Sequence, residues 1–156
     1  MFFHDFNMED AIKFSRFDRD HLLASASPHP ITLDEREWQT CEHYVCAKLA
    51  ASAQKSEQIA AAPTPELANK LIGPWYVKKV PNWKNVRRVL MTRAIYTKTQ
   101  MYDELRDFLL DTGDSMIIET SAYDHYWGVG RDLRGKNVLG QVWMDVRDKL
   151  RGKGKK

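Results

Sequence analysis

Apolar residues recur at helical spacing in several separate stretches of the chain, and short alternating runs lie between them. The clearest apolar stripe runs from Leu139 to Leu150, with the spacing that places side chains on one face of an α-helix. The pattern predicts five helices, at about 40–53, 65–73, 82–99, 102–111 and 139–150. Alternation predicts short strands at 12–15, 31–33 and 116–120. We therefore expect a mainly α fold, of the α+β class, with two or three short strands.

Capping residues mark where three of these helices begin. Thr40, Thr64 and Asn137 each carry a side chain that can accept a hydrogen bond from the first turn. Glu42 falls in the first turn after Thr40, where the positive end of the helix dipole stabilises a carboxylate. We expect Glu42 to stay ionised, which suits the stabilisation of positive charge better than proton donation. The alternative is that Glu42 only satisfies the helix end.

The stretch 121–140 combines an acid, aromatic rings and glycines just before the last helix. It contains Asp124, Trp127 and Gly128, and it ends in Lys136 and Asn137 at the helix start. Glycine lets a backbone approach a ligand closely, because it has no Cβ. A helix N-terminus attracts anions, so the stretch predicts an anion- and ring-binding site. The alternative is a solvated loop before a core helix.

Composition fits one ordinary globular domain, which we place at residues 1–150. The chain has 156 residues, of which 43% are hydrophobic and 29% charged, with a formal net charge of +3. Part of that charge lies in 151–156, which we expect to be a flexible basic tail that could contact nucleic acid. The oligomeric state is left open.

Several features favour a cytoplasmic location. No apolar run approaches the roughly 20 residues of a membrane span, and the acidic, aromatic first ten residues do not resemble a signal peptide. Cys41 and Cys46 lie five residues apart on one predicted helix. Their spacing suits neither a disulfide framework nor a zinc site, so a reducing compartment is the simplest expectation.

Three separated pieces of sequence resemble the NADAR family, also called YbiA-like. They are Trp38-Gln-Thr-Cys-Glu42-His43-Tyr44, Pro81-Asn-Trp83, and Glu119 through Arg147 with Asp124-x-x-Trp127-Gly128 and Gly135-Lys136-Asn137. Their order and spacing are similar to that family over 12–150. The resemblance implies a compact multihelical domain that needs no metal and no cofactor.

The resemblance also implies a reaction. Members of the family are N-glycosidases that act on ribose. Some hydrolyse phosphoribosylamino-pyrimidine intermediates of riboflavin synthesis, and others remove ADP-ribose from modified guanine bases in nucleic acid. The expected partner is therefore a ribosylated or ADP-ribosylated small molecule or nucleic-acid base. The alternative is a non-catalytic module that binds ADP-ribose or nucleotides.

Cleavage of a ribosyl C–N bond passes through a state with positive charge on the sugar. We expect Glu42 to stabilise that charge and Asp124 to shuttle a proton or position water. Lys136 is the third catalytic candidate, since its amine or that of Lys48 could attack the opened sugar and form a Schiff base. Lys136 and Asn137 could instead hold a phosphate.

The remaining candidates bind the substrate. Trp83 and Trp127 offer flat surfaces on which a base can stack, although Trp83 also opens an apolar stripe and could belong to the core. His43 is either a residue that orients its neighbours or a satisfied core histidine. Gly128 completes the set, and Trp143 is assigned to the core.

Two positions depart from the family pattern. Ser25 stands where the family usually has asparagine. Leu49 stands seven residues after Glu42, where the family usually has lysine, and Lys48 lies one residue earlier. One residue rotates a side chain by about 100° around a helix. These departures are the reason to keep the non-catalytic alternative.

Overall fold

The structure, a computed structural model, describes residues 8–154. These residues form six α-helices, four short strands and one 3₁₀ turn, which confirms the expected α+β fold. The strands are β1 (Ile12–Phe14), β2 (Ile31–Leu33), β3 (Arg36–Trp38) and β4 (Ile117–Glu119). The helices are α1 (Cys41–Leu49), α2 (Ala53–Ala60), α3 (Pro65–Ile72), α4 (Trp83–Met101), α5 (Asp103–Asp111) and α6 (Val138–Gly154). The 3₁₀ turn is Met8–Asp10.

The four strands form two separate pairs. β1 and β4 are parallel, with Ile12 opposite Ile117, so the residues after β1 lie near the loop that follows β4. β2 and β3 form an antiparallel hairpin. Its turn residues, Asp34 and Glu35, have φ angles of 55° and 63°, as a two-residue type I′ turn requires at both positions. The sequence did not predict β3, because its first two residues are charged.

The helix predicted for 40–53 is two elements, and the prediction of one continuous helix was wrong. α1 ends at Leu49, and Ala50 forms a β-bridge with Lys79. The side chain of Ser52 then accepts a hydrogen bond from the Lys55 backbone N–H at 3.1 Å and caps α2. Serine favours a helix start over a helix interior because its hydroxyl bonds to nearby backbone groups.

The core surrounds α1, which contacts α2, α3 and α4. Every residue of α1 except Lys48 is buried. On the other side of α4 lies α6, where Trp143 is fully buried and its Nε1–H donates to the Leu23 carbonyl at 2.9 Å. Trp143 is thus a core residue, as predicted. The central place of α1 puts its first turn, with Glu42, inside the molecule.

The last helix is longer than predicted. α6 continues to Gly154, so the first four residues of the predicted flexible tail 151–156 are helical. Arg151 donates to Asp114 Oδ1 at 2.8 Å and also contacts the Gly113 carbonyl. Residues 155 and 156 lie outside the described part of the chain. Within residues 8–154, no helix combines the length and apolar character that crossing a membrane requires.

Candidate active site

Arg16, which follows β1, joins two acidic side chains from distant parts of the chain. Its Nη2 donates to Glu42 Oε1 at 2.8 Å, and its Nη1 donates to Asp124 Oδ2 at 2.6 Å. Arg16 is 6% exposed and Glu42 is 1% exposed. Because one guanidinium stands between two carboxylates, the group carries one excess negative charge. We call Arg16, Glu42 and Asp124 the charged triad.

Arg16 remains protonated in this setting. Burial by itself lowers the pKa of the guanidinium, but the charge of Glu42, its hydrogen bond and the charge of Asp124 together raise that pKa above its ordinary value. Arg16 was not among the residues predicted from the sequence. The only signal was a basic residue directly after a predicted strand, and nothing local in the sequence shows that such a residue is buried.

Glu42 lies in the first turn of α1, whose N-cap is Thr40 as predicted. Its Oε1 also accepts a hydrogen bond from Asn69 Nδ2 at 2.9 Å, and its Oε2 accepts one from the Ser25 hydroxyl. Together with Arg16, these donors satisfy both oxygens of the Glu42 carboxylate. Ser25, which departs from the family pattern, therefore still supplies a hydrogen-bond donor to Glu42.

Asp124 is held from both sides. Its Oδ1 accepts from the backbone N–H groups of Tyr126 at 3.0 Å and Trp127 at 2.8 Å, and Arg16 holds Oδ2. Three N–H donors therefore satisfy both oxygens of the Asp124 carboxylate. Asp124 is also absent from the described lining of the neighbouring cleft. The contacts therefore suit a residue that positions Arg16 and Trp127, and they do not support the predicted proton shuttle.

A cleft of about 160 Å³ opens beside the charged triad. Arg16 and Glu42 contribute to its lining, together with the indoles of Trp83 and Trp127 and the apolar side chain of Leu49. The structure thus brings Glu42, Trp83 and Trp127 together as the sequence predicted. An acidic group beside two flat aromatic surfaces can accommodate a cationic sugar next to a planar base.

Trp83 is a half-buried cleft residue at the start of α4 and not part of the core. Lys79 Nζ lies 5.4 Å from the centroid of the Trp83 ring, and the Arg87 guanidinium carbon lies 5.2 Å from it. The same Arg87 carbon lies 3.2 Å from the centroid of the Tyr126 ring. With Lys84 Nζ at 5.8 Å, three cations lie near the Trp83 indole, and Arg87 also lines the cleft.

Neither of the two predicted lysines lies in the cleft. Lys48 Nζ is 3.4 Å from Asp34 Oδ2, because its position on α1 directs it away from the cleft that Leu49 lines. Lys136 is exposed and does not contribute to the cleft lining. Among residues 8–154, the lysine that lines the cleft is Lys79. The predicted Schiff-base roles of Lys48 and Lys136 are not supported by this geometry.

Asn137 and Gly128 hold the loop together and do not face the cleft. The Asn137 side chain is buried, donates to the Ile117 carbonyl at 2.9 Å and accepts from the Glu119 N–H at 2.8 Å. Both ends of its amide are therefore occupied, and these contacts do not support its prediction as a substrate-binding residue or as a side-chain cap. Gly128 packs against the Glu119 carboxylate, so the space left by its missing Cβ is not available to a ligand.

Replacement of Gly128 by alanine tests this packing. A Cβ there would lie 2.0 Å from Glu119 Oε1, so we expect a loss of about 1–3 kcal/mol or more in the free energy of unfolding. Gly152 is the matched control, because its added Cβ meets nothing within 4 Å and alanine favours a helix by about 0.5–1 kcal/mol. Urea unfolding measures both variants. Equal stability of the two would contradict the packing at Gly128.

His43 lies in the core with both ring nitrogens hydrogen-bonded. Its Nδ1 lies 2.8 Å from Thr40 Oγ1, and its Nε2 lies 2.9 Å from the Ala62 carbonyl. A carbonyl only accepts, so Nε2 carries the proton and Nδ1 accepts from the Thr40 hydroxyl. The ring is fully buried and is absent from the described cleft lining, so this geometry does not support its prediction as a substrate-binding residue.

The stability of the protein should fall below about pH 6.5. Burial lowers the pKa of His43 below its ordinary value, although the Ala62 carbonyl and Glu42 oppose this effect; burial also lowers the pKa of His21 and His29. The unfolded chain then binds more protons than the folded one as pH drops through that region. We expect a lower urea midpoint at about pH 5.5 than at about pH 7.5. His43→Gln should reduce this difference, and an unchanged difference would contradict the assignment.

The structure defines a class of protein: a small, mainly helical domain with a cleft lined by one carboxylate, three basic side chains and two tryptophans. The profile of the NADAR domain matches residues 2–151, and the chain belongs to the NADAR family. It is 34% identical over 133 residues to an N-glycosidase of Nostoc punctiforme, a match that covers 83% of this chain and 85% of that protein. It is 32% identical over 121 residues to the N-glycosidase YbiA of Escherichia coli, covering 78% of this chain and 76% of that one.

Two further comparisons extend this result. The NMR structure of Escherichia coli YbiA superposes with a TM-score of 0.84 at 29% sequence identity, over 97% of this chain and 91% of that chain. A riboflavin biosynthesis protein of Vibrio vulnificus is 31% identical over 144 residues, a match that spans 92% of this chain but 39% of that longer protein. The family resemblance read from the sequence is therefore confirmed.

Proposed function

We propose that this protein is an N-glycosidase that hydrolyses the C–N bond between a ribose and a nitrogen of its substrate. The observation that carries the proposal is the charged triad beside Trp127, since Arg16 bonds both Glu42 and Asp124 at the edge of one cleft. The names of the relatives from Nostoc punctiforme and Escherichia coli support the same reaction class.

The charged triad suits the charge that develops in this reaction. As the C–N bond breaks, its electron pair leaves with the nitrogen, and positive charge accumulates on the ribosyl ring. The excess negative charge of the triad then attracts the ring, with Glu42 as the carboxylate that lines the cleft. Water adds its hydroxyl to the ribosyl carbon, and its remaining proton goes to the departing nitrogen.

The aromatic residues account for the other half of the substrate. Trp83 and Trp127 line the cleft, and an aromatic side chain binds a stacked base with about 1–3 kcal/mol. Lys79 and Arg87 stand next to Trp83, where they favour a substrate that carries phosphate. Two substrate classes fit: ADP-ribosylated guanine bases and phosphoribosylamino-pyrimidine intermediates of riboflavin synthesis.

A non-catalytic binder of ADP-ribose is the competing function. The departures of Ser25 and Leu49 from the family pattern are the observations that favour this alternative. Ser25, however, donates to Glu42, so this departure preserves the hydrogen bonding of the central carboxylate. The geometry therefore favours the enzyme.

A release assay tests the proposal. The purified protein is incubated separately with ADP-ribosylated guanosine, with an ADP-ribosylated oligonucleotide and with a phosphoribosylamino-pyrimidine, and the products are separated and weighed by mass spectrometry. We expect free ADP-ribose or ribose 5-phosphate from at least one of them, at more than one turnover per protein. Binding of these compounds without release of any product would overturn the proposal in favour of the binder.

A further inference from the structure

Outside the charged triad, the segment between α3 and α4 carries an unusual pair of exposed rings. Trp75 is 92% exposed and Tyr76 is 72% exposed, and their ring centroids lie 5.9 Å apart. Residues 75–84, WYVKKVPNWK, combine three aromatic residues with three lysines and contain no acidic residue. Large exposed aromatic side chains beside each other indicate a binding surface.

This surface continues directly from the cleft. Gly73, Lys79 and Trp83 line both the cleft and a second hollow, which Trp75 and Lys78 complete. The second hollow shares Val77 and Lys78 with a third, which Tyr76 and Lys55 complete. We call the second and third hollows together the outer groove. Among the described residues, no aspartate or glutamate lines the outer groove, so its charge is purely positive.

The backbone of the outer groove is fixed to the end of α1. The Ala51 N–H donates to the Lys78 carbonyl at 3.0 Å, and the Val80 N–H donates to the Leu49 carbonyl at 2.9 Å. Lys79 Nζ donates to two carbonyls of its own loop, at 3.2 and 3.3 Å, and has no carboxylate partner among the residues described. The rings and lysines are therefore presented on a preformed support, which lowers the cost of binding.

We propose that the outer groove binds the single-stranded nucleic acid that flanks a modified base held in the cleft. Exposed aromatic faces stack on bases of any sequence, and lysines without carboxylate partners attract the phosphate backbone. A mononucleotide held in the cleft leaves Trp75 and Tyr76 without a role. The inference rests on the proposed function and narrows it to substrates carried by a nucleic-acid strand.

Fluorescence anisotropy with a fluorescein-labelled, unmodified oligothymidylate of about twelve nucleotides tests the groove. The full chain should bind it saturably, and the affinity should fall as salt rises. Trp75→Ala and Tyr76→Ala should each weaken binding about tenfold, while Trp75→Phe restores most of it. Tyr123→Ala is the control, because Tyr123 is also an exposed aromatic residue but lies outside the outer groove.

Lysine variants separate charge from stacking. Lys78→Met should reduce the slope of log affinity against log salt by about 0.7, the loss of one contact to a single-stranded phosphate. Lys13→Met, an exposed lysine on β1, should leave the slope unchanged. Absence of saturable oligothymidylate binding, or equal affinity of the wild type and both aromatic variants, would contradict nucleic-acid binding in the outer groove.

The outcomes also distinguish this inference from the proposed function. Trp75→Ala should keep normal release of product from a small ribosylated substrate, because its ring lies outside the cleft. If small substrates are hydrolysed and the oligothymidylate is not bound, nucleic-acid binding in the outer groove is refuted and the proposed N-glycosidase activity is supported. If the oligothymidylate binds through Trp75 and Tyr76 but none of the ribosylated compounds is hydrolysed, nucleic-acid binding in the outer groove is supported and the proposed N-glycosidase activity is refuted.

Discussion

Glu42→Gln is expected to lower kcat for release of the ribosyl product about 10²–10³-fold while the protein stays folded. The substitution removes the negative charge that faces the ribosyl cation, and one preorganised electrostatic group has an effect of this size. The glutamine oxygen can still accept from Arg16 and Asn69, so the fold should persist. Steady-state kinetics on whichever substrate the wild type hydrolyses measures the effect, and circular dichroism checks the fold.

Glu66→Gln is the matched control for this variant. Glu66 makes the same type of contact, an ion pair with Arg19 at 2.7 Å, but both side chains are about half exposed and lie outside the cleft. Its kcat should remain within about twofold of the wild type, because exposed ion pairs contribute little. Equal kcat values for Glu42→Gln and Glu66→Gln would show that Glu42 does not take part in the reaction.

Arg16→Met should cost about 3–5 kcal/mol in the free energy of unfolding. The variant leaves buried Glu42 next to Asp124 without their shared cation, and breaking a buried pair by removing one partner has this magnitude. Urea unfolding followed by tryptophan fluorescence measures the change. The free energy of unfolding of Arg16→Lys should lie between those of Arg16→Met and the wild type, since lysine restores the charge but not the planar guanidinium that reaches both carboxylates.

Arg88→Met provides the comparison for that result. Arg88 bonds Asp145 at 3.1 Å, but this pair is largely exposed, so its loss should cost less than about 1 kcal/mol. A urea midpoint for Arg16→Met no lower than that for Arg88→Met would contradict the central place of Arg16 in the charged triad.

Local signals were enough to predict the parts of the site that depend on neighbouring residues. Thr40 and Glu42 lie in one helix start, and capping rules depend on positions only a few residues apart. Asp124 and Trp127 are likewise linked within one turn, since the Asp124 carboxylate accepts the Trp127 N–H. The positions of Glu42 and Trp127 in one cleft followed from the family resemblance and not from spacing alone.

Long-range contacts account for what the sequence could not predict. Arg16 is buried because β1 pairs with β4, more than a hundred residues away along the chain, and a three-residue strand carries no signal for its partner. Asn137 turns its amide toward β4 for the same reason. Whether Lys48 or Leu49 lines the cleft depends on which side of α1 faces it. Because α1 is buried on nearly every side, its apolar residues do not mark one face, and the sequence could not predict that side.

The proposed reaction depends on attraction between the Glu42 carboxylate, which lines the cleft, and a cationic ribosyl group. Calorimetric titration with a protonated iminoribitol, a ribose-like ring that carries the positive charge permanently near neutral pH, measures this attraction without knowledge of the natural substrate. We predict that the wild type binds the cation at least about tenfold more tightly than 1,4-anhydroribitol, the neutral ring of the same shape, and that Glu42→Gln loses this preference. Equal affinity of the wild type for the charged and neutral rings would contradict the account.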